Sequence, residues 1–133
     1  MQTLRNGLLM LFTAALLVAC SISTPEKVAQ DYINAVLAND IDGIVSTLAI
    51  PANAQSGHDT VVRGKLSVLL AQASSQAIRY GGVKEVLYSK TVFNTEKTRA
   101  TIVATIHYKK DNAPTREEHI LLLKIEDNWK VSL

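Results

Sequence analysis

Few residues of this chain can do chemistry: one cysteine, three histidines and four tyrosines. His107 and His119 flank the turn-like stretch KKDNAPT. If the hairpin turn centres on Asn112 and Ala113, the two imidazoles face each other across neighbouring strands and offer two ligands to zinc or copper. No spacing in the surrounding sequence marks out a third ligand. Two half-exposed histidines on the polar face beside Thr101 and Thr105 are the better account, so no metal is expected. His58-Asp59 holds two members of a nucleophilic triad, but no GxSxG-type turn supplies the third. A polar loop in which Asp59 or Thr60 caps the next helix is the simpler account. Tyr32 and Tyr108 are candidate pocket residues with hydroxyls turned inward, for proton transfer or ligand orientation. Core tyrosines with one satisfied hydroxyl are the commoner arrangement. No catalytic residue and no cofactor follow from these side chains.

The elements that must position these groups begin after residue 20. The first twenty residues, MQTLRNGLLMLFTAALLVAC, open with Arg5 and then run apolar from Leu8 to Val18. That run is about eleven residues, short of the roughly twenty that a membrane-spanning helix requires, and it has the form of a secretory signal. It ends on Leu17-Val18-Ala19-Cys20, and Cys20 is the only cysteine. A single thiol excludes an internal disulfide and any CxxC site. The tetrapeptide resembles the lipobox of bacterial lipoproteins. That resemblance implies a thioether-linked diacylglyceryl group on Cys20, cleavage between Ala19 and Cys20, and acylation, as with palmitate, of the new amine. Two or more acyl chains give stable anchoring. Ser21 follows the cysteine, which by the same resemblance favours the outer membrane, facing the periplasm. The expected organisation is a signal peptide over 1–19, a lipidated Cys20 with a short tether over 20–24, and one domain over 25–133.

Within that domain the first half reads as helix. Thr24 and Pro25 form an N-cap and first-turn pair, and Val28, Tyr32, Ile33, Val36 and Leu37 follow helical spacing, with Asp31 opposite. Asp40 caps a short second helix with Ile41, Ile44, Val45 and Leu48 inward; Gly43 is out of place in it. IPANAQSGHDT reads as a loop. A third helix, roughly Val61 to Tyr80, carries Val62, Leu66, Leu69, Leu70, Ala73 and Ala77 and stops at Gly81-Gly82.

Beyond Gly82 the period becomes two. VKEVLYSKTVF reads as a strand whose mixed faces call for a bulge near Ser89 or Lys90. TRATIVATIHY alternates, with Ala100, Ile102, Ala104, Ile106 and Tyr108 on one side. REEHILLLKI is apolar on both faces from Ile120 to Leu123. EDN is a tight turn with Asn128 suited to positive φ, and WKVSL is a last strand with Trp129 in the core. Helices followed by strands joined by short loops give an α+β layer: N-terminal helices on a curved four-stranded antiparallel sheet.

TPEKVAQDYINAVLANDIDGIVSTL, the alternating strands and the terminal EDNWKV together resemble small lipoproteins classed as DUF4878, within the NTF2-like (cystatin-like) superfamily. The resemblance implies a cone with a pocket between the first helix and the concave sheet, and no established activity. Fold alone does not choose among the functions such cones host. A net charge of +2, spread without a basic run, and 5% aromatic residues argue against nucleic acid as a partner. The leading expectation is a lipid-anchored, non-catalytic domain of the bacterial cell envelope that binds a protein partner or small ligand. The alternatives are a pocket enzyme of isomerase or hydratase type, and a structural subunit that forms a homodimer through the outer sheet face.

Overall fold

The computed structural model describes residues 23–50 and 57–133; the signal segment, Ala19 and Cys20 lie outside them. Helix α1 (Pro25–Leu37) starts where its cap dictates: the Thr24 hydroxyl accepts the Lys27 N–H at 3.2 Å. Asn39, at φ 56°, turns the chain. Asp40 then caps α2 (Ile41–Thr47) by accepting the Gly43 N–H at 3.0 Å. Gly43 belongs here for steric reasons: a Cβ at this position would collide with the Asp40 carboxylate and press on Ala35 of α1.

Helix α3 (His58–Arg79) begins three residues before the expected Val61. Its N-cap is Gly57 at φ 95°, with no side-chain cap. Asp59 does not serve as one. It pairs with Arg63 at 2.9 Å, and Arg63 reaches Asp42 of α2 at 2.8 Å, tying the two helices together on the surface.

The sheet has five strands rather than four: β1 (Val83–Tyr88), β2 (Val92–Phe93), β3 (Arg99–Tyr108), β4 (Arg116–Ile125) and β5 (Asn128–Ser132). The order is β1-β3-β4-β5, all antiparallel, and β2 continues the track of β1 beside β3. The expected first strand is thus divided at Ser89–Thr91, and the register shift falls between Val83 and Glu85 instead of near Ser89. Ser89 remains attached to β3: it donates its N–H to the Val103 carbonyl and accepts the Val103 N–H on its hydroxyl, each at 2.8 Å. In the last hairpin the left-handed residue is Glu126 (φ 55°), not Asn128, which already opens β5.

All three helices cover one face of the sheet. Ala100, Ile102, Ala104, Ile120 and Leu122 supply its inner surface, and Ala29, Ile33 and Ile44 meet them from the helices. Alternation explains the apolar run in β4: Ile120 and Leu122 are buried, whereas Leu121 points outward and is 40% exposed. β5 is an edge strand. The Ser23 hydroxyl accepts its Trp129 N–H at 3.0 Å, and the Ala49 N–H donates to its Val131 carbonyl at 2.7 Å.

Leu122 is fully buried between sheet and helices. Leu122→Ala should lower unfolding free energy by about 2–5 kcal/mol, the range for truncating a core leucine. Urea melts of the variant and the parent measure it.

Candidate functional site

The residues that gather chemistry lie at the end of the concave face where α3 finishes. Arg116 and Glu118 are two apart on β4 and so share a face. Their strand partners on β3 are Ile106 and Ala104, both buried on the inner side, so the ion-pair partners point inward too. The Arg116 Nε binds a Glu118 carboxylate oxygen, with side chains 20% and 27% exposed. Gln76 of α3 reaches down to them. Its side-chain carbonyl accepts the Tyr108 hydroxyl at 3.3 Å and the Arg116 Nη1 at 3.2 Å. Tyr80 packs against the Tyr108 ring at 5.4 Å between centroids.

Tyr32 and Tyr108 therefore meet one polar cluster, and both are buried. Burial pushes the Tyr32 phenol above its ordinary value of 10.0; the Glu118 carboxylate adds to the rise and Arg116 opposes it. Tyr108 moves the same way, chiefly through burial. Both phenols stay protonated near neutral pH, and the Tyr108 hydroxyl donates to Gln76. Arg116 and Glu118 spend their charge on each other, and Arg116 also donates to Gln76.

The sequence reading missed Arg116, Glu118 and Gln76. The signal was present for two of them: Arg116 and Glu118 fall in the same two-residue phase as the buried Ile120 and Leu122.

The histidine pair is not assembled. Ile106 pairs with Arg116 and Val103 with His119, which centres the hairpin on Asp111 rather than on Asn112 and Ala113. His107 pairs instead with Glu85 of β1. The two histidines are four residues apart in register, about 13 Å along the strands. His119 is 69% exposed in its side chain and lies 3.8 Å from Glu117. Among the described residues no group of three or more His, Cys, Asp or Glu could hold a metal ion.

The space beneath α1 is filled. Ala100, Ile102, Ala104, Ile120 and Leu122 are each no more than 2% exposed, because α1 lies directly on them. Near the Tyr88 end a recess of about 60 Å³ remains between Glu26, Gln30, Tyr88, Ser89 and Ile102. Larger hollows lie outside this contact: one of about 550 Å³ among α1, α2 and β5, one of about 670 Å³ between α3 and Arg116, and a mostly apolar one of about 490 Å³ between Leu48, Ile50, Val62, Ile125, Val131 and Leu133.

Because Tyr32 ionises at higher pH in the fold than in the unfolded chain, the folded state holds more protons above pH 10.0. Stability should therefore fall as pH rises through that region. Tyr32→Phe should reduce the alkaline loss, and Tyr88 and Tyr108, shifted in the same direction, should retain the remainder. Urea midpoints compared below and above pH 10.0 test this.

No protein-family model matches the sequence, and no curated protein matches it. Among solved structures, the chain is similar to a provisionally assigned NTF2-like transpeptidase from Campylobacter jejuni. The TM-score is 0.72 at 23% identity, over 84% of this chain and 99% of that one. Three helices on one face of a curved antiparallel sheet, superposable over nearly the whole of that neighbour, give this chain the NTF2-like fold.

Proposed function

We propose that the chain is a lipid-anchored lipoprotein of the bacterial cell envelope whose NTF2-like domain is a non-catalytic binding module. The observation that carries the binding reading is the filled concave face. A pocket isomerase or hydratase needs room for substrate beside an acid or base, and here α1 and the sheet fill that room with their own side chains. The inward carboxylate, Glu118, is engaged by Arg116. The neighbour's transpeptidase assignment would require an activated hydroxyl or thiol next to a base. The hydroxyls of Ser46, Ser67 and Ser89 donate to backbone carbonyls instead. The likeness to DUF4878 lipoproteins and the Leu17-Val18-Ala19-Cys20 lipobox support the anchor, and Ser21 supports the outer membrane, facing the periplasm. Cys20→Ser should abolish metabolic labelling with palmitate. A variant that still takes up the label would overturn the anchor.

A specific observation also favours a homodimer through the outer sheet face. Leu87, Val92 and Leu121 are 52%, 66% and 40% exposed there, with Val103 and Leu123 beside them. Glu85 and Glu117 lie toward one end of this face, Arg99 and Lys130 toward the other. A two-fold axis in the interface, perpendicular to the strands, sets each acidic end against a basic one. Sedimentation should show a dimer that Leu121→Asp dissociates. A monomer at high concentration would rule this interface out.

A further inference from the structure

Helix α3 is apolar on two faces, and the described residues of the chain cover only one. Val62, Leu66, Leu69, Leu70, Ala73 and Ala77 face the body of the domain. On the opposite side Val61, Gly64, Val68, Ala71, Ser75 and Ile78 are all exposed; Val61, Val68 and Ile78 are 57%, 61% and 82% exposed. Their spacing of three and four alternates without a break over five turns. That is the a/d seam by which one helix packs along another. A surface helix ordinarily keeps polar residues on that side.

Gly64 gives an independent reason to expect an occupant. A glycine inside a helix is unfavourable by about 1 kcal/mol relative to alanine. A Cβ at Gly64 would meet none of the described residues within 4 Å, and its backbone needs no left-handed conformation. Nothing among the described residues requires the glycine. It leaves a gap in the seam through which a second backbone can come close.

The charges select the occupant. Lys65 and Arg79 flank the seam, and no carboxylate occurs from Thr60 to Lys84. A second copy of α3 would bring the same cations, and its one carboxylate, Asp59, is already held by Arg63. A lipid surface would favour bulky Leu, Phe or Trp on the buried side, whereas this seam is narrow and built of valine and small residues.

We propose that the exposed seam of α3 docks a helix of another protein, about 18 residues long, with apolar residues at its own a and d positions and carboxylates along the flank that meets Lys65 and Arg79. This rests on reading the domain as a binding module; it is independent of the lipid on Cys20.

The test titrates the full chain, in detergent, with three probes while the amide resonances of residues 61–78 are followed. The probes are a synthetic helix with leucine at a and d and glutamate at e and g, the same helix with lysine at e and g, and bicelles containing phosphatidylglycerol. The glutamate helix should shift these amides and saturate, and the lysine helix should not. Gly64→Leu should weaken the glutamate helix about ten-fold, the usual penalty for overfilling a close contact, without lowering the melting temperature. No response to the glutamate helix, equal binding of the lysine helix, indifference to Gly64→Leu, or a response to the bicelles alone would each overturn the proposal. Saturable shifts confined to amides outside residues 61–78 would overturn this site and leave the binding-module reading standing, so loss of one is distinguishable from loss of the other.

Discussion

The fold depends on how closely one helix can lie on one sheet. Ala29 and Ile33 of α1 are fully buried, and Ala100 and Ala104 face them from β3 with almost no exposure. Alanines on the sheet let the helix sit low, and the larger Ile102, Ile120 and Leu122 fill the space around it. Interiors are packed too densely to leave such a contact and a sizeable cavity in the same place. The low seat of α1 is therefore also the reason the cone is solid at its centre. It confines polar chemistry to the end of the face, where α1 gives way to the last turns of α3.

At that end the polar groups form a closed set. Arg116 meets Glu118 and Gln76, Gln76 also meets Tyr108, and Tyr32 lies within reach of both charges. Partly buried charges are tolerated when they are paired and hydrogen-bonded. The network joins α3 to β3 and β4 at a point where their apolar contact is sparse. Its arrangement suits holding elements in position more than moving protons, because each strong group already has a partner.

Much of this architecture was legible in the residues. Thr24-Pro25 fixed the start of α1, and the alternation from Ala100 to Tyr108 identified the inner face of β3. What could not be read was register. The loop between β3 and β4 closes on Asp111, and nothing in KKDNAPT states that. A small change in register separates His107 from His119 and hides the facing of Arg116 and Glu118. The mixed faces of VKEVLYSKTVF marked an irregularity near Ser89, but not that the strand breaks there, with a serine hydroxyl standing in for the backbone partner that a continuous strand would present to Val103. The two apolar faces of α3 read as one, since periodicity locates a buried stripe but does not say that a second stripe stays bare.

The outer margin of β5 has one more consequence. A strand at the edge of a sheet exposes main-chain donors and acceptors that can template pairing with another molecule. Here Ser23 takes one such donor, at Trp129, and Ala49 takes one such acceptor, at Val131. The opposite margin is interrupted at Ser89–Thr91 and carries Lys84 and Lys90. Neither side presents a long straight ladder to a neighbour. Copies crowded together at high local concentration are thereby protected against edge-to-edge growth into fibrils, and association is left to faces whose side chains can discriminate between partners.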